Sequence, residues 1–237
     1  MLFAKVPLLL FDALLLRMGA LPPNPSLPIS SHIIPNWREH FLKSLAVPSM
    51  IFRTMYWTSS LLEVIVILAY TFQSNHISSL LLKILVINPQ SASLIQITPI
   101  FLFGVCLMLS GTLIRIRCYR TLGKLFTFEL SIMKNHTLVT TGPYAYVRHP
   151  SYTGLILNVI GGYASHLSTG SWVRESGLMK TQVGMALVIL CVAVGVAVIS
   201  SLLLRMPGED AILRKRFGRE WDHWARNVPY RIIPFIY

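Results

Sequence analysis

Residues 182–204 read QVGMALVILCVAVGVAVISSLLL and contain no charged side chain. A helix needs about 20 mainly apolar residues to cross the hydrocarbon core of a bilayer, and this stretch is long enough. It ends at Arg205, where a segment rich in basic and aromatic residues begins and continues to residue 237. We therefore expect a membrane-spanning helix that ends near Arg205, at the boundary between lipid and water.

The composition of the whole chain also indicates that membrane lipid surrounds the protein. Hydrophobic residues make up 54% of the 237 residues, charged residues make up only 13%, and the mean hydropathy is +0.60. An average soluble domain carries about 25% charged residues. A chain this apolar cannot cover its surface with polar groups. This argues against a disordered tail, a coiled coil or a soluble two-domain enzyme.

The net charge of +12 narrows the possible partners. On a soluble protein this excess would suggest nucleic acid, but a membrane protein commonly places basic loops beside anionic lipid. The basic stripe with interleaved aromatic residues that is typical of RNA-binding proteins is missing. The three cysteines show neither CxxC nor metal-ligand spacing. We therefore expect membrane lipid as a partner, no nucleic acid, and no metal site.

Five apolar stretches, including the one above, are long enough or nearly long enough to span a bilayer: residues 2–20, 54–72, 94–114, 151–166 and 182–204. The first contains Lys5, Asp12 and Arg17 and is either a retained anchor helix or a cleaved signal peptide. Prolines follow it in place of a clear small-residue cleavage site, which favours the anchor. Residues 77–87 are too short to cross and predict an interfacial or short loop helix.

The distribution of lysine and arginine predicts the orientation of these spans. Segments 115–150 and 205–237 hold six and seven basic residues, which is 13 of the 21 in the chain. Both should be cytoplasmic, and five alternating spans satisfy this. We predict an all-α polytopic membrane protein of about five transmembrane helices with a C-terminal amphipathic cytoplasmic helix. Membrane helices and loops should occupy 1–114, and the cofactor- and substrate-binding region should occupy 115–237.

Residues 136–152, HTLVTTGPYAYVRHPSY, form the first of two polar clusters beside predicted spans. Residues 142–143 are a Gly-Pro turn signal, and Pro150 suits the first turn of a helix. Arg148 and His149 would then stand just before a helix begins. Taken residue by residue, the pattern is typical of a helix N-terminus with interfacial aromatic residues. Arg148 could also simply reach a lipid phosphate.

Residues 205–237, RMPGEDAILRKRFGREWDHWARNVPYRIIPFIY, form the second cluster. Arg205 and Glu209 are spaced i, i+4 and share a helix face if the helix continues through Pro207, which can kink it. Beyond Glu209 the apolar positions recur at helical spacing, as in a helix lying in the membrane interface. These positions are Ile212, Leu213, Phe217, Trp221 and Trp224. A basic membrane anchor without further role is the alternative.

Taken together, the two clusters resemble one family. HTLVTTGPYAYVRHPSYTG at 136–154, then E-D-x-x-L-x-x-x-F-G-x-E-W-x-x-W from Glu209 and V-P-x-R-x-x-P-F-I from Val228, are similar to the isoprenylcysteine carboxyl methyltransferase family. Its members are enzymes of the endoplasmic reticulum that methylate the C-terminal prenylcysteine of CaaX proteins. The resemblance extends from about residue 120 to the end, and the N-terminal half matches only in being apolar. The short pattern R-H-P-x-Y is less specific to this family than the longer match.

The resemblance implies a protein-S-isoprenylcysteine carboxyl O-methyltransferase in the endoplasmic reticulum membrane, with its catalytic face towards the cytoplasm. S-adenosyl-L-methionine is the implied cofactor, and Arg205 is implied to hold the substrate carboxylate. The implied cofactor-binding residues are His136, Thr137, Leu138, Val139, Tyr144, His149, Pro150, Ser151, Tyr152 and Glu209. Glu129 stands at the offset where some members have Gln, and it is a weak candidate.

These residue types suit the implied reaction. A carboxylate nucleophile is ionised at neutral pH, so the site must position and desolvate it rather than deprotonate it. Arg205 suits this role because its planar fork holds a carboxylate and stays charged. Glu209 can accept hydrogen bonds from the cofactor's amine or hydroxyls, and Tyr144 and Tyr152 can contact adenine or sulfonium. Free N–H groups near Pro150 could bind the cofactor carboxylate.

Two other functions remain open. A phospholipid N-methyltransferase would share the R-H-P-x-Y pattern but would use an amine as the methyl acceptor. A non-catalytic membrane scaffold could carry the same motifs. Internal symmetry, which is typical of transporters, is not visible in the sequence. Glu63 lies inside a predicted span, where an acid is either functional or paired with a basic residue of a neighbouring helix.

Overall fold

The computed structural model of the chain describes residues 2–21, 24, 46–126 and 137–237, and the regular elements among these residues are helices. In chain order the α-helices are α1 (Lys5–Ala20), α2 (Ala46–Thr71), α3 (His76–Leu85), α4 (Pro99–Leu122), α5 (Pro150–Leu167), α6 (Trp172–Glu175), α7 (Gln182–Phe217) and α8 (Arg219–Asn227). The predicted all-α class is therefore confirmed. Glu129 and His136 lie outside the described residues.

Within the described parts of the chain, three segments are long and apolar enough to cross a membrane: Val47–Thr71, Pro99–Leu125 and Gln182–Phe217. They match the second, third and fifth predicted spans, which supports the membrane character of the protein. The first and fourth predicted spans form α1, with 16 residues, and α5, with 18, and neither is among these three. The count of five spans stays a prediction.

One compact unit combines Met1–Arg17, Pro48–Leu109 and Leu157–Gly195. Its core consists of buried aliphatic and aromatic side chains from α1, α2, α3, α4 and α6, among them Leu9, Val66, Ile67, Leu82, Phe101 and Trp172. The stretch predicted to be too short to cross forms α3, and Leu82 of that helix belongs to this core.

A buried ion pair joins α1 and α2 inside this unit. Lys5 Nζ lies 2.5 Å from Glu63 Oε1, and both side chains are 0% exposed. The other Glu63 oxygen, Oε2, accepts a hydrogen bond from the backbone N–H of Trp172 at 2.9 Å. Lys5 Nζ also donates to the carbonyl of Gly170 at 2.7 Å. Of the two interpretations of Glu63, the structure therefore supports structural pairing.

Glycine allows the close approach of α4 and α5 in the same unit. A Cβ built on Gly104 would lie 2.7 Å from the carbonyl oxygen of Gly161, and one on Gly161 would lie 2.7 Å from that of Gly104. Real Cβ atoms do not approach so closely, so a side chain at either position would force the helices apart. Small residues commonly allow membrane helices to pack in this way.

The second unit combines Met18–Val47, Ser110–Ile156 and Val196–Tyr237. Arg115 of α4 is buried in this unit. Its guanidinium donates to the carbonyl and hydroxyl oxygens of Ser151, at 3.0 and 3.1 Å, and to the carbonyl of Gly19. These bonds tie the end of α1 and the beginning of α5 to α4. The predicted division into 1–114 and 115–237 stays a prediction.

The C-terminal amphipathic stretch is interrupted in this unit. Helix α7 runs through Pro207 to Phe217, and Gly218, whose φ is +54°, separates it from α8. Only glycine adopts this conformation readily, which explains why the helix breaks here. Trp221 and Trp224 are buried, and the half-buried Leu138, Tyr144, Leu213 and Phe217 pack against them. These two tryptophans therefore pack against protein. That α8 is an amphipathic helix at the cytoplasmic membrane surface stays a prediction.

Candidate functional site

The candidate site forms in the second unit, where the first turn of α5 lies beside the end of the apolar part of α7. Pro150 begins α5, so His149 and Tyr152 stand at its N-terminal end. Arg205 and Glu209 lie on α7, which continues through Pro207 without a break. Because the helix is continuous, the predicted i, i+4 relation between Arg205 and Glu209 is realised.

Arg205, Glu209 and Tyr152 form a connected group. Arg205 Nε lies 3.7 Å from Glu209 Oε2, and their side chains are 9% and 29% exposed. Tyr152 donates from its hydroxyl to the same Glu209 oxygen at 2.6 Å. Glu209 therefore joins a buried cation to a half-buried phenol and still reaches solvent. A carboxylate in this position can accept hydrogen bonds from a ligand.

His149 is held beside this group. Its Nε2 lies 3.1 Å from Asp210 Oδ1, and its ring stacks on that of Tyr152, with centroids 5.3 Å apart and an interplanar angle of 14°. The His149 backbone N–H donates to the carbonyl of Arg231 at 2.7 Å. Both the ring and the backbone of His149 are thus fixed by named partners.

Asp210 and Arg231 are the residues that the sequence reasoning missed. Asp210 Oδ2 lies 3.0 Å from Arg148 Nη1 and 3.5 Å from Arg231 Nε, and the carboxylate is buried. Burial lowers the pKa of Arg148, and the Asp210 carboxylate opposes that shift. Of the two roles left open for Arg148, the structure shows the side chain paired within the protein. The one feature visible in the sequence was a second acid directly after Glu209.

Residues 137–139, which precede the Gly-Pro turn, differ from one another in exposure. Thr137 is exposed, Leu138 and Val139 are half-buried, and Leu138 packs against the Trp221–Trp224 cluster. The Tyr144 carbonyl accepts a hydrogen bond from the Trp224 indole at 3.1 Å. Burial raises the pKa of Tyr144 well above its usual range, with further contributions from Cys118 and Glu209. The Tyr144 hydroxyl therefore stays protonated at neutral pH and can donate.

Pro150 and Ser151 are placed differently from the other candidates. Both are buried, and the Ser151 hydroxyl and carbonyl accept hydrogen bonds from Arg115. The backbone N–H groups of Tyr152 and Thr153 donate to the His149 carbonyl at 3.0 and 3.3 Å. The expectation that free N–H groups of this turn bind the cofactor carboxylate is therefore wrong for these two amides.

The geometry defines a class of protein. It is a helical membrane protein in which an arginine, two adjacent carboxylates and two aromatic rings gather at the end of an apolar helix. Within it, His149 is buried and contacts Asp210, and Glu209 is partly exposed, so its carboxylate can accept hydrogen bonds from a ligand.

Comparisons with known proteins find similarity to one family. Residues 102–173 match the isoprenylcysteine carboxyl methyltransferase family. Protein-S-isoprenylcysteine O-methyltransferase B of Arabidopsis thaliana is 30% identical over 136 residues, which cover 56% of this chain and 59% of that protein. The human protein-S-isoprenylcysteine O-methyltransferase is 30% identical over 143 residues, covering 60% of this chain and 43% of that protein. These findings confirm the resemblance predicted from the motifs.

The matches cover only part of this chain and only part of each relative. A probable protein-S-isoprenylcysteine O-methyltransferase of Oryza sativa subsp. indica is 29% identical over 135 residues, or 56% of this chain and 60% of that protein. The chain thus covers about three fifths of the length of these plant relatives. The family match begins in α4, includes all of α5 and ends within α6, so it contains His149 and Tyr152 but ends before Arg205 and Glu209.

Proposed function

We propose that this protein is a membrane enzyme that transfers a methyl group from S-adenosyl-L-methionine to the C-terminal carboxylate of a prenylated cysteine. Its substrates would be CaaX-type proteins, and its product would be a methyl ester. The names of the matched relatives, which are protein-S-isoprenylcysteine O-methyltransferases, support this activity. Their partial coverage makes the activity a proposal for the whole chain.

One observation carries the proposal: Arg205 is buried at the point where the apolar part of α7 ends. Gln182–Leu204 is uncharged, and the next residue is an arginine whose side chain is 9% exposed. A prenyl chain partitions into lipid, and the carboxylate at its end must reach a cation at the edge of the lipid. Arginine binds a carboxylate in a fixed plane through its fork of N–H donors. Arg205 is therefore our candidate for positioning the nucleophile.

The groups around Glu209 fit the proposed cofactor. S-adenosyl-L-methionine carries an ammonium, a ribose diol and a sulfonium, which require an acceptor and favour aromatic neighbours. Glu209 offers an accepting carboxylate that reaches solvent, and the Tyr152 and His149 rings stack beside it. Tyr144 adds a protonated hydroxyl. The assignment of Thr137, Leu138 and Val139 to this site remains part of the proposal.

The reaction asks for positioning rather than proton transfer. When bound, the cofactor supplies an electrophilic methyl group. A carboxylate has an ordinary pKa near 4 and is already the nucleophile at neutral pH. The work of the chain is then to orient the carboxylate through Arg205, to hold the cofactor through Glu209 and to exclude water. Arg205 must not bind so tightly that it reduces the nucleophilicity of the carboxylate, and its neighbour Glu209 tempers its charge.

The cellular setting follows from charge and resemblance. The basic segments 115–150 and 205–237 support a cytoplasmic orientation of the site, where CaaX proteins are processed. The resemblance supports the endoplasmic reticulum membrane. We further propose five membrane spans, which are the three long apolar segments together with α1 and α5.

A methyl acceptor series tests this function directly. Membranes containing the protein receive labelled S-adenosyl-L-methionine and either N-acetyl-S-farnesylcysteine, the same compound with its carboxylate converted to a carboxamide, or phosphatidylethanolamine. We expect base-labile label on the first acceptor and none on the carboxamide, because only the carboxylate can form a methyl ester. Base-stable label in phosphatidylethanolamine would instead establish a phospholipid N-methyltransferase. Cofactor binding without transfer to any acceptor would support a scaffold.

A further inference from the structure

Asp210 is the most highly connected carboxylate of the candidate site. It is 6% exposed and faces three basic side chains. Oδ2 lies 3.0 Å from Arg148 Nη1 and 3.5 Å from Arg231 Nε, and Oδ1 lies 3.1 Å from His149 Nε2. A buried acid with this many basic partners holds them in place, because each would lose its compensating charge if it moved.

Asp210 and its neighbour Glu209 hold two aromatic residues of one helical turn. Asp210 contacts His149, and Glu209 accepts from the Tyr152 hydroxyl at 2.6 Å. The two rings are stacked, so the position of one limits the position of the other. The contacts therefore form a closed loop of four side chains, in which the Asp210–His149 contact fixes the stack that presents Tyr152 to Glu209.

The C-terminal segment completes this arrangement. The backbone N–H groups of Arg148 and His149 donate to the carbonyls of Tyr230 and Arg231 at 2.9 and 2.7 Å. The Thr153 hydroxyl donates to the Ile232 carbonyl at 2.6 Å. Arg231 thus binds Asp210 with its side chain while its carbonyl receives the His149 N–H. Asp210 therefore fixes the C-terminal segment and the His149 backbone at the same time.

We propose that Asp210 is a positioning residue for the cofactor: it holds His149 and Arg231 so that Tyr152 and Glu209 meet S-adenosyl-L-methionine in the correct geometry. This inference rests on the proposed function, because it assumes that these residues form the cofactor site. Asp210 itself is buried, and both of its oxygens already face Arg148, Arg231 and His149, so it is not the group that contacts the cofactor. Its charge acts through His149, much as an outer carboxylate orients a histidine that binds a metal ion.

The test measures binding of S-adenosylhomocysteine, the demethylated cofactor, by calorimetry in detergent. We expect Asp210→Asn to raise the dissociation constant about tenfold, because Asn keeps the size of the side chain but leaves Arg148, Arg231 and His149 without their shared carboxylate. Asp222→Asn is the matched control. Asp222 is a carboxylate on α8, 2.8 Å from Arg214, and both side chains are well exposed. This control should bind within about twofold of the unmodified protein.

Steady-state kinetics distinguish positioning from a general structural role. We expect Asp210→Asn to raise the KM for S-adenosyl-L-methionine by a similar factor and to leave the KM for N-acetyl-S-farnesylcysteine within about twofold. Asp210→Glu, which keeps the charge, should recover part of the cofactor affinity. Equal cofactor affinity in Asp210→Asn and the unmodified protein would overturn the inference. So would a loss of activity that tracks only the folded fraction.

A second variant covers the case in which Asp210→Asn fails to fold. Arg231 is partly exposed, and Arg231→Gln removes one cation from Asp210 while the carbonyl that receives His149 N–H remains. We expect about threefold weaker S-adenosylhomocysteine binding. If both variants fold, their effects should not add, because they act through one contact. Unchanged binding in Arg231→Gln, or full additivity in the double variant, would contradict the inference.

The binding assay keeps this inference separate from the proposed function. If the unmodified, folded protein fails to bind S-adenosylhomocysteine, the proposed cofactor is wrong and the inference falls with it. If it binds but methylates no prenylcysteine, the proposed acceptor is wrong while the role of Asp210 is still measured. If it binds and methylates but Asp210→Asn binds equally well, the inference alone is wrong.

Discussion

Two acidic sites, Glu63 in the first compact unit and the Glu209–Asp210 pair in the second, differ in which groups contact their carboxylates. Glu63 is fully buried and is bonded to one lysine and one backbone N–H, both within the protein. Glu209 and Asp210 lie side by side, and Glu209 keeps 29% of its side chain exposed while Asp210 faces three basic side chains. The first site is fully buried, and the second has one carboxylate that is partly exposed.

A structural acid and a binding acid in an apolar chain therefore differ in whether the carboxylate keeps capacity for a ligand. A charge inside a membrane span is a functional candidate by default, yet Glu63 has its compensating partners at hand. Buried ion pairs of this kind fix which helices pack together and add little net stability. A functional acid must keep some capacity for a ligand, and Glu209 does so. The following predictions test this contrast.

The largest expected effect is on stability. Glu63→Ala would leave the Lys5 ammonium buried without its counter-charge and should lower the free energy of unfolding by about 3–5 kcal/mol. Denaturant unfolding in detergent measures this change. The Lys5→Met/Glu63→Gln double variant should recover most of the loss, because it removes both charges and keeps an acceptor for the Trp172 N–H. A double variant as unstable as Glu63→Ala would contradict the pairing.

The next effect is on catalysis. Arg205→Ala should lower kcat/KM for N-acetyl-S-farnesylcysteine about 100-fold, or roughly 2.7 kcal/mol, because the substrate carboxylate loses its positioning cation. Cofactor affinity should stay within about twofold. Arg205→Lys should fall in between, since lysine keeps the charge but not the planar fork. If Arg205→Ala weakened cofactor binding and raised the acceptor KM by equal factors, Arg205 would not be specific to the acceptor.

A smaller effect is expected at the exposed carboxylate. Glu209→Gln should weaken binding of S-adenosylhomocysteine about tenfold, close to 1.4 kcal/mol, and should change the acceptor KM little. The amide keeps one accepting oxygen for Tyr152 but cannot balance the ammonium of the ligand. Isothermal titration of both proteins measures the difference. Equal affinities would remove Glu209 from the cofactor site and would weaken the contrast with Glu63.

The smallest effect is expected at the surface. Asp222 pairs with Arg214 at 2.8 Å, and their side chains are 40% and 64% exposed. Exposed ion pairs contribute little because water and salt screen them. Asp222→Asn should therefore change the free energy of unfolding by less than about 0.5 kcal/mol and should leave methyl transfer intact. A loss of unfolding free energy as large as that of Glu63→Ala would contradict the expectation that more exposed acids contribute less to stability.

The sequence predicted the helices whose apolar pattern is long and clear. Three of the five predicted spans correspond to segments able to cross a membrane, and α7 realises the predicted pairing of Arg205 with Glu209. Periodicity could not predict where the C-terminal stretch breaks, because the break depends on the single positive φ of Gly218. Nor could it predict that Trp221 and Trp224 pack on Tyr144 and Leu138, which are distant in sequence.

The candidate site was predicted in part. The motifs selected His149, Tyr152, Arg205 and Glu209, which the structure brings together. They also selected Ser151, whose polar atoms bond to Arg115 instead. Asp210 was missed because its importance lies in three partners from separate parts of the chain. Spacing within a motif carries no information about such long-range contacts.

One comparison of methyl transfer tests the account most directly. Membranes with equal amounts of folded protein receive labelled S-adenosyl-L-methionine and N-acetyl-S-farnesylcysteine, and base-labile label is measured for three proteins. We predict full transfer by the unmodified protein, transfer within about threefold by Lys5→Met/Glu63→Gln, and almost none by Arg205→Ala. Activity of Arg205→Ala within threefold of the unmodified protein, or no transfer by the unmodified protein, would contradict the account.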